Sequence, residues 1–141
     1  MRVLAIDFGE SRIGLAISDP AGALAVPLTV LERRSDREAI QHIERLIEEQ
    51  GVERVVVGEP RNLDGTLGDA ARRVHSFCRK LASRIEQPCV LVDEGLTSVE
   101  ARERLREAGT DLRRHPERVD QVAAQILLEQ YLTEALQDTD A

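Results

Sequence analysis

Three consecutive valines, Val55-Val56-Val57, constrain the fold more than any other stretch of the chain. Successive side chains on a strand point to opposite faces, so an unbroken apolar run must be covered on both sides. The segments flanking it carry the helical period. Ser35 or Asp36 caps a helix predicted over 37–50, with apolar positions at Ala39, Ile40, Ile43, Leu46 and Ile47 and a stop at Gly51. A second helix is predicted over 67–86, carrying Ala70, Ala71, Val74, Phe77, Cys78, Leu81 and Ile85. A buried strand between two such helices is the middle of a sheet with helices on both faces.

The other segments extend that sheet. Val3-Leu4-Ala5-Ile6 predicts a strand over 2–7 that runs straight into Asp7, and Ile13 to Ser18 predicts a second strand across the Phe8-Gly9-Glu10-Ser11 turn, a hairpin. After the Asp19-Pro20-Ala21-Gly22 turn comes a third strand over 24–31, in which Pro27 marks an edge or a bulge. Cys89-Val90-Leu91-Val92 is a fifth strand ending at Asp93-Glu94-Gly95. Thr97 or Ser98 is expected to cap a helix reaching Ala108, and residues 110–117 to form a mobile loop. A last helix over 118–136 gathers Val119, Val122, Ala123, Ile126, Leu127 and Tyr131 on one face. The order β-β-β-α-β-α-β-α-α predicts a single α/β domain over 1–136, with 137–141 a frayed tail.

Composition removes several classes of function. With 42% hydrophobic and 32% charged residues the 141-residue chain has an ordinary globular balance. No run approaches the ~18 apolar residues that span a bilayer, and the one before Asp7 is too short for a signal peptide. A cytoplasmic protein with no membrane partner is expected. Cys78 and Cys89 are spaced neither as a zinc site nor as a redox pair two residues apart, so two reduced, buried thiols are expected. Phe8, Phe77 and Tyr131 are too few to form a base-stacking platform. The net charge of −7 opposes nucleic acid on its face, but binding depends on where positive charge clusters. Every Lys or Arg except Lys80 is arginine, the residue suited to bidentate phosphate contacts.

Carboxylates stand where strands end. Asp7 closes the first strand, Glu59 the fourth and Asp93-Glu94 the fifth, while Asp120 opens the last helix. In open α/β sheets ligands gather beyond the carboxyl ends of strands, so these acids are candidates to converge. Converging carboxylates bind hard divalent cations such as Mg²⁺ or Mn²⁺, which engage phosphate oxygens and activate water. Each acid also has a structural reading: Asp7 satisfying a turn, Asp120 favoured by a helix dipole, Asp93 and Glu94 as a solvated strand end. A carboxylate directly after a buried strand needs a partner or a metal, which favours function at Asp7.

Four blocks carry a family resemblance. Asp7-Phe8-Gly9 with Arg12-Ile13-Gly14-Leu15-Ala16, Val57-Gly58-Glu59-Pro60 through Asp64-Gly65, Asp93 through Ala101, and Val119-Asp120-Gln121-Val122-Ala123-Ala124 through Tyr131-Leu132 resemble the YqgF family, also called RuvX. The resemblance is collinear and spans essentially the whole chain. It implies a ribonuclease H-like fold, a central mixed five-stranded sheet flanked by helices. It also implies a divalent-metal nuclease that matures the 5′ end of 16S ribosomal RNA, with Holliday junction resolution the older proposal. By motif position Asp7, Glu94 and Asp120 are the implied catalytic, metal-binding acids, and Glu59 and Asp93 are further metal candidates. Arg12 is the implied phosphate contact; Arg61, Arg113, Arg114 and Arg118 are additional nucleic-acid candidates, the last three because they flank Asp120. Structured RNA or branched DNA is the expected partner, bound by a monomer or a homodimer.

Two positions depart from the family pattern. Gly95 stands where the family usually has arginine, so Arg12 or Arg61 is expected to supply the missing charge. Glu59 stands where the family is commonly apolar, and is expected to face solvent rather than to add a fourth carboxylate. Two other functions compete with the nuclease. A non-catalytic nucleic-acid-binding module would leave the acids structural. An actin-like nucleotide site would use the Asp7-x-Gly9 turn, but needs two such lobes where this chain has one.

Overall fold

The computed structural model describes residues 1–62 and 64–140, with side chains as far as Ala135. Among them the elements run β1 (Val3–Phe8), β2 (Arg12–Ser18), β3 (Ala25–Glu32), α1 (Asp36–Gln50), β4 (Arg54–Glu59), α2 (Asp69–Ala82), β5 (Cys89–Asp93), α3 (Thr97–Glu107) and α4 (Glu117–Asp140). The strands form one mixed sheet in the order β3-β2-β1-β4-β5. The β1–β2 and β2–β3 pairs are antiparallel, and β4 lies parallel to both β1 and β5. The expected element order is therefore the observed one. The Pro27 signal is met by a bulge on edge strand β3, where the register steps from Leu15↔Thr29 to Ala16↔Pro27.

Alternation along the strands builds two unlike faces. Leu4, Ile6, Ile13, Leu15, Ile17, Val55 and Val57 point to one side, where α1 (Ile40, Ile43, Ile47) and α2 (Val74, Phe77, Leu81) cover them. Val3, Ala5, Ala16 and Val56 point to the other, under Ala124, Leu127, Leu128 and Leu132 of α4. Large branched side chains fill the first face and mostly small ones the second. Helix α4 has two buried sides rather than the single apolar face expected. Ala124, Leu127 and Tyr131 meet the sheet, while Val119, Val122, Ala123 and Ile126 meet Ala101 of α3.

Some boundaries move. Ser35 caps α1 as expected, its hydroxyl accepting the Glu38 N–H at 3.1 Å. Helix α2 is shorter than the apolar pattern at both ends, starting after Gly68, which has no side chain to cap it. Neither Thr97 nor Ser98 caps α3, because Leu96 holds the cap position and Thr97 is buried. The polar group that orders this turn lies earlier: Asp93 accepts the Gly95 N–H at 2.9 Å. Gly95 sits at φ 58°, a left-handed position that an arginine would adopt only with strain. Helix α4 continues to Asp140. The expected tail at 137–141 concerns side chains, and at Ala141 a backbone, outside the described residues.

The seating of α4 rests on the absence of one side chain. Gly14 lies across the hairpin from Asp7, and a β-carbon there would overlap the backbone carbonyl of Asp120. The first turns of α4 thus press directly onto β2 and deliver Asp120 beside the end of β1. Gly14→Ala must push the helix outward. We expect it to cost about 1–3 kcal/mol in urea unfolding and to weaken any property that needs Asp7 and Asp120 together.

Candidate active site

Asp7 is the buried centre of the site. It follows Ile6 on the middle strand of the sheet and is 9% exposed. Glu94 reaches it from the turn after β5, where the Glu94 N–H donates to the Glu59 carbonyl at 3.1 Å. Gly58 makes room chiefly for α4, since a β-carbon there would stand 3.1 Å from Leu127 Cδ2 but at an ordinary 3.6 Å from Glu94 Cβ. Asp120 arrives from α4 over Gly14. Three acids far apart in sequence therefore meet at one end of the sheet.

Burial and close neighbours shift the proton affinities of two of them. Burial first, then the charge and hydrogen bond of Glu94 and the charge of Asp120, raise Asp7 from its ordinary 3.8 to about 8. Burial also raises Glu94, with Asp93 adding to the effect. A carboxyl raised to about 8 keeps its proton near neutral pH, and Asp7 can donate it to Glu94 as a hydrogen bond. Asp120 is turned to Arg12 instead, whose Nε donates to Asp120 Oδ2 at 2.7 Å. Among the described residues no set of three acid, His or Cys side chains closes into a ready cage for a metal ion. The donor set nonetheless fits a hard divalent cation: it is all carboxylate oxygen, it is partly desolvated, and a cation would displace the Asp7 proton.

The other candidates are distributed around this centre. Asp93 is exposed and holds the Gly95 turn. Arg113 and Arg114 are exposed on the segment leading into α4 and Arg118 is exposed in its first turn, with Arg114 Nε 3.7 Å from Asp111. Arg61 is exposed and donates to Glu59 at 3.0 Å. Both arginines expected to replace the charge missing at Gly95 are thus already paired with carboxylates.

Glu59 corrects its expectation. It is 7% exposed and so does not face solvent, and strand alternation puts it with Val55 and Val57 on the α1/α2 face, opposite the three acids. There it is hydrogen-bonded to His75 of α2 and to Arg61. The His75 bond first, then Arg61, hold its carboxyl below the ordinary range. Glu59 is therefore a buried carboxylate held by two more exposed partners, and its main-chain oxygen accepts the Glu94 N–H. Sequence reasoning missed His75, because a partner sixteen positions away leaves no local signal. It also missed the Thr97 hydroxyl, which is buried beside the Glu94 turn with no hydrogen-bond partner.

This mixed sheet with helices on both faces and acids at its strand ends is a ribonuclease H-like fold. The chain belongs to the RuvX family, described as Holliday junction resolvase, whose pattern matches residues 1–134. It is 44% identical over 130 residues to a Chloroflexus aurantiacus protein named "Putative pre-16S rRNA nuclease", covering 92% of this chain and 85% of that one. A Clostridium novyi protein of the same name is 37% identical over 132 residues, covering 94% and 98%. Among solved structures, T. thermophilus RuvC in complex with Holliday junction substrate superposes with TM-score 0.55 at 16% identity, covering 96% of both chains. The Fowlpox virus resolvase in complex with Holliday junction DNA gives 0.57 at 11% identity, covering 96% of this chain and 99% of that one. These two likenesses show the fold. Among the described residues no helix is long and apolar enough to cross a membrane.

The proton affinity of Asp7 has a consequence for stability. A carboxyl raised on folding stabilises the protein fully below its unfolded pKa, and that contribution is lost as pH rises through the folded value. Metal-free protein is therefore expected to lose stability from about pH 4 to about pH 8, the window set by 3.8 and about 8. Urea unfolding with a chelator present will show this slope, and Asp7→Asn will flatten it. A slope of the opposite sign removes the electrostatic account of the site.

Proposed function

We propose that this protein is a divalent-metal-dependent nuclease that cuts phosphodiesters of structured RNA, its substrate the 5′ end of pre-16S ribosomal RNA. The observation that carries the reading is the meeting of Asp7, Glu94 and Asp120, with the Asp7 carboxyl raised by burial first and then by Glu94 and Asp120. Buried acids forced together at the open end of a sheet are costly unless a cation or a function offsets them. Relatives at 37–44% identity that carry the rRNA nuclease name support the choice of substrate.

In this reading Asp7, Glu94 and Asp120 hold Mg²⁺ or Mn²⁺, which supplies charge neutralisation at a phosphate and activation of water. Asp7 and Glu94 would hold the cation through their carboxylate oxygens, and Asp7 would have to be ionised to do so. Arg12, paired with Asp120 at 2.7 Å, is placed beside the acids where its guanidinium would contact a phosphate oxygen. Arg113, Arg114 and Arg118 track the flanking phosphates from the rim. A second substrate, the four-way DNA junction, is favoured by the description of the family itself. Both substrates present phosphodiesters to the same acids.

Asp7→Asn is expected to lower cleavage in Mn²⁺ or Mg²⁺ by at least about a hundredfold while keeping the wild-type circular dichroism spectrum. Glu59→Gln, on the opposite face, keeps activity within a few-fold. Equal cleavage of precursor RNA and junction DNA by wild type and Asp7→Asn returns the protein to the binding-module reading. Binding is expected to weaken with salt, and Arg113→Ala/Arg114→Ala to flatten the slope of log affinity against log salt. An unchanged slope moves the nucleic-acid face elsewhere.

A further inference from the structure

Cys78 and Cys89 lie on the face of the sheet opposite the three acids, and nothing in the proposed chemistry uses them. Cys78 is 7% exposed on the inner side of α2, while Cys89 is half-buried as the first residue of edge strand β5. The α1/α2 core brings both side chains together, so that the two free thiols touch with their sulfurs 3.2 Å apart. A disulfide needs about 2.05 Å, so the remaining approach is about 1 Å, the scale of a side-chain rotation rather than of a backbone rearrangement.

The surroundings also favour reaction. The contact with the Cys89 thiol, and then the charge of His75 one turn earlier on α2, bring Cys78 down to about 7, so a substantial fraction is thiolate at neutral pH. Cys89 is pushed up by the same hydrogen bond and by burial, so it keeps the proton. One sulfur is the nucleophile and the other a resolving thiol already in contact. The low exposure of Cys78 selects a small oxidant.

We propose that Cys78 and Cys89 are a redox couple that hydroperoxide converts to an intramolecular disulfide linking α2 to β5. The Cys78 sulfur attacks one peroxide oxygen and the O–O bond breaks, giving a sulfenic acid at Cys78 and, with hydrogen peroxide, one water. The Cys89 sulfur then attacks the Cys78 sulfur, the S–O bond breaks, and a second water leaves with the Cys89 proton. Two thiols are oxidised by two electrons in all and one peroxide is reduced to two waters. Dithiothreitol reverses the bond by exchange. The consequence is mechanical: β5 pairs with β4 alone, and the new bond ties its first residue to a helix.

The test uses the full-length protein, reduced and then exposed to hydrogen peroxide, with remaining thiols alkylated and peptides mapped without reduction. The expected result is a cross-linked pair of peptides containing Cys78 and Cys89, with both alkylation sites lost together and restored by dithiothreitol. Amide exchange across Val90–Val92 is expected to slow several-fold in the oxidised form. Cys78→Ser and Cys89→Ser should each abolish the link. Should either fail to fold, the wild-type map decides alone. The proposal is overturned if both thiols survive peroxide that fully oxidises glutathione in the same tube. It is equally overturned if oxidation stops at sulfinic acid without a link, or if mixed isotope labelling shows the link joining two chains.

Discussion

The close contact between α4 and β2 governs this structure. Helices normally rest on sheets through interposed side chains; here the first turns of α4 sit on bare backbone at Gly14. Gly14 pairs with Asp7, so the same absence of a side chain that admits the helix also clears the space beside the acid. Ala5 and Ala16 extend the small surface beneath the helix, and Leu127 and Leu128 secure it with apolar contact. Packing of ordinary kind on one side of the helix thereby imposes an electrostatically unfavourable meeting at its start.

That meeting explains the charge pattern around it. Burial first, then Glu94 and Asp120, oppose ionisation of Asp7, and what offsets their charge is the proton Asp7 retains and the pairing of Arg12 with Asp120. Both are replaceable: protons leave with pH and guanidinium groups swing. Glu59 shows the contrasting solution. Its charge is buried too, but His75 and Arg61 satisfy it fully on the other face of the sheet. One sheet thus carries a settled buried carboxylate and an unsettled one, and the difference lies in whether hydrogen-bond donors such as Arg61 and His75 stand beside it.

The order of elements, the hairpin, the Pro27 bulge and the Ser35 cap were legible in the sequence because each depends on residues a few positions apart. The valine run at 55–57 gave the central layer for the same reason. The contact of α4 with Gly14 was not legible, since a glycine in a strand does not say what approaches it. Glu59 was read as solvated because a strand-end acid usually is; only the register with β1 and the position of α2 show that it turns towards His75. Two reduced, buried thiols are what the cysteine spacing predicts, and their contact depends on how α2 lies over β5. The acids at 7, 94 and 120 were selected by position and resemblance, and their proximity is a tertiary fact that local pattern does not contain.

Glu94 hangs from β5, the edge of the sheet, whereas Asp7 belongs to its middle strand. β5 has an open side and two exposed apolar residues, Val90 and Leu91, so fewer bonds must break to release it than to disturb β1. Partial openings that cost less than global unfolding therefore detach one wall of the acidic centre while leaving its floor intact. Occupancy of the site and integrity of the sheet margin are for this reason thermodynamically linked: whatever binds between the two acids also holds the outermost strand in register.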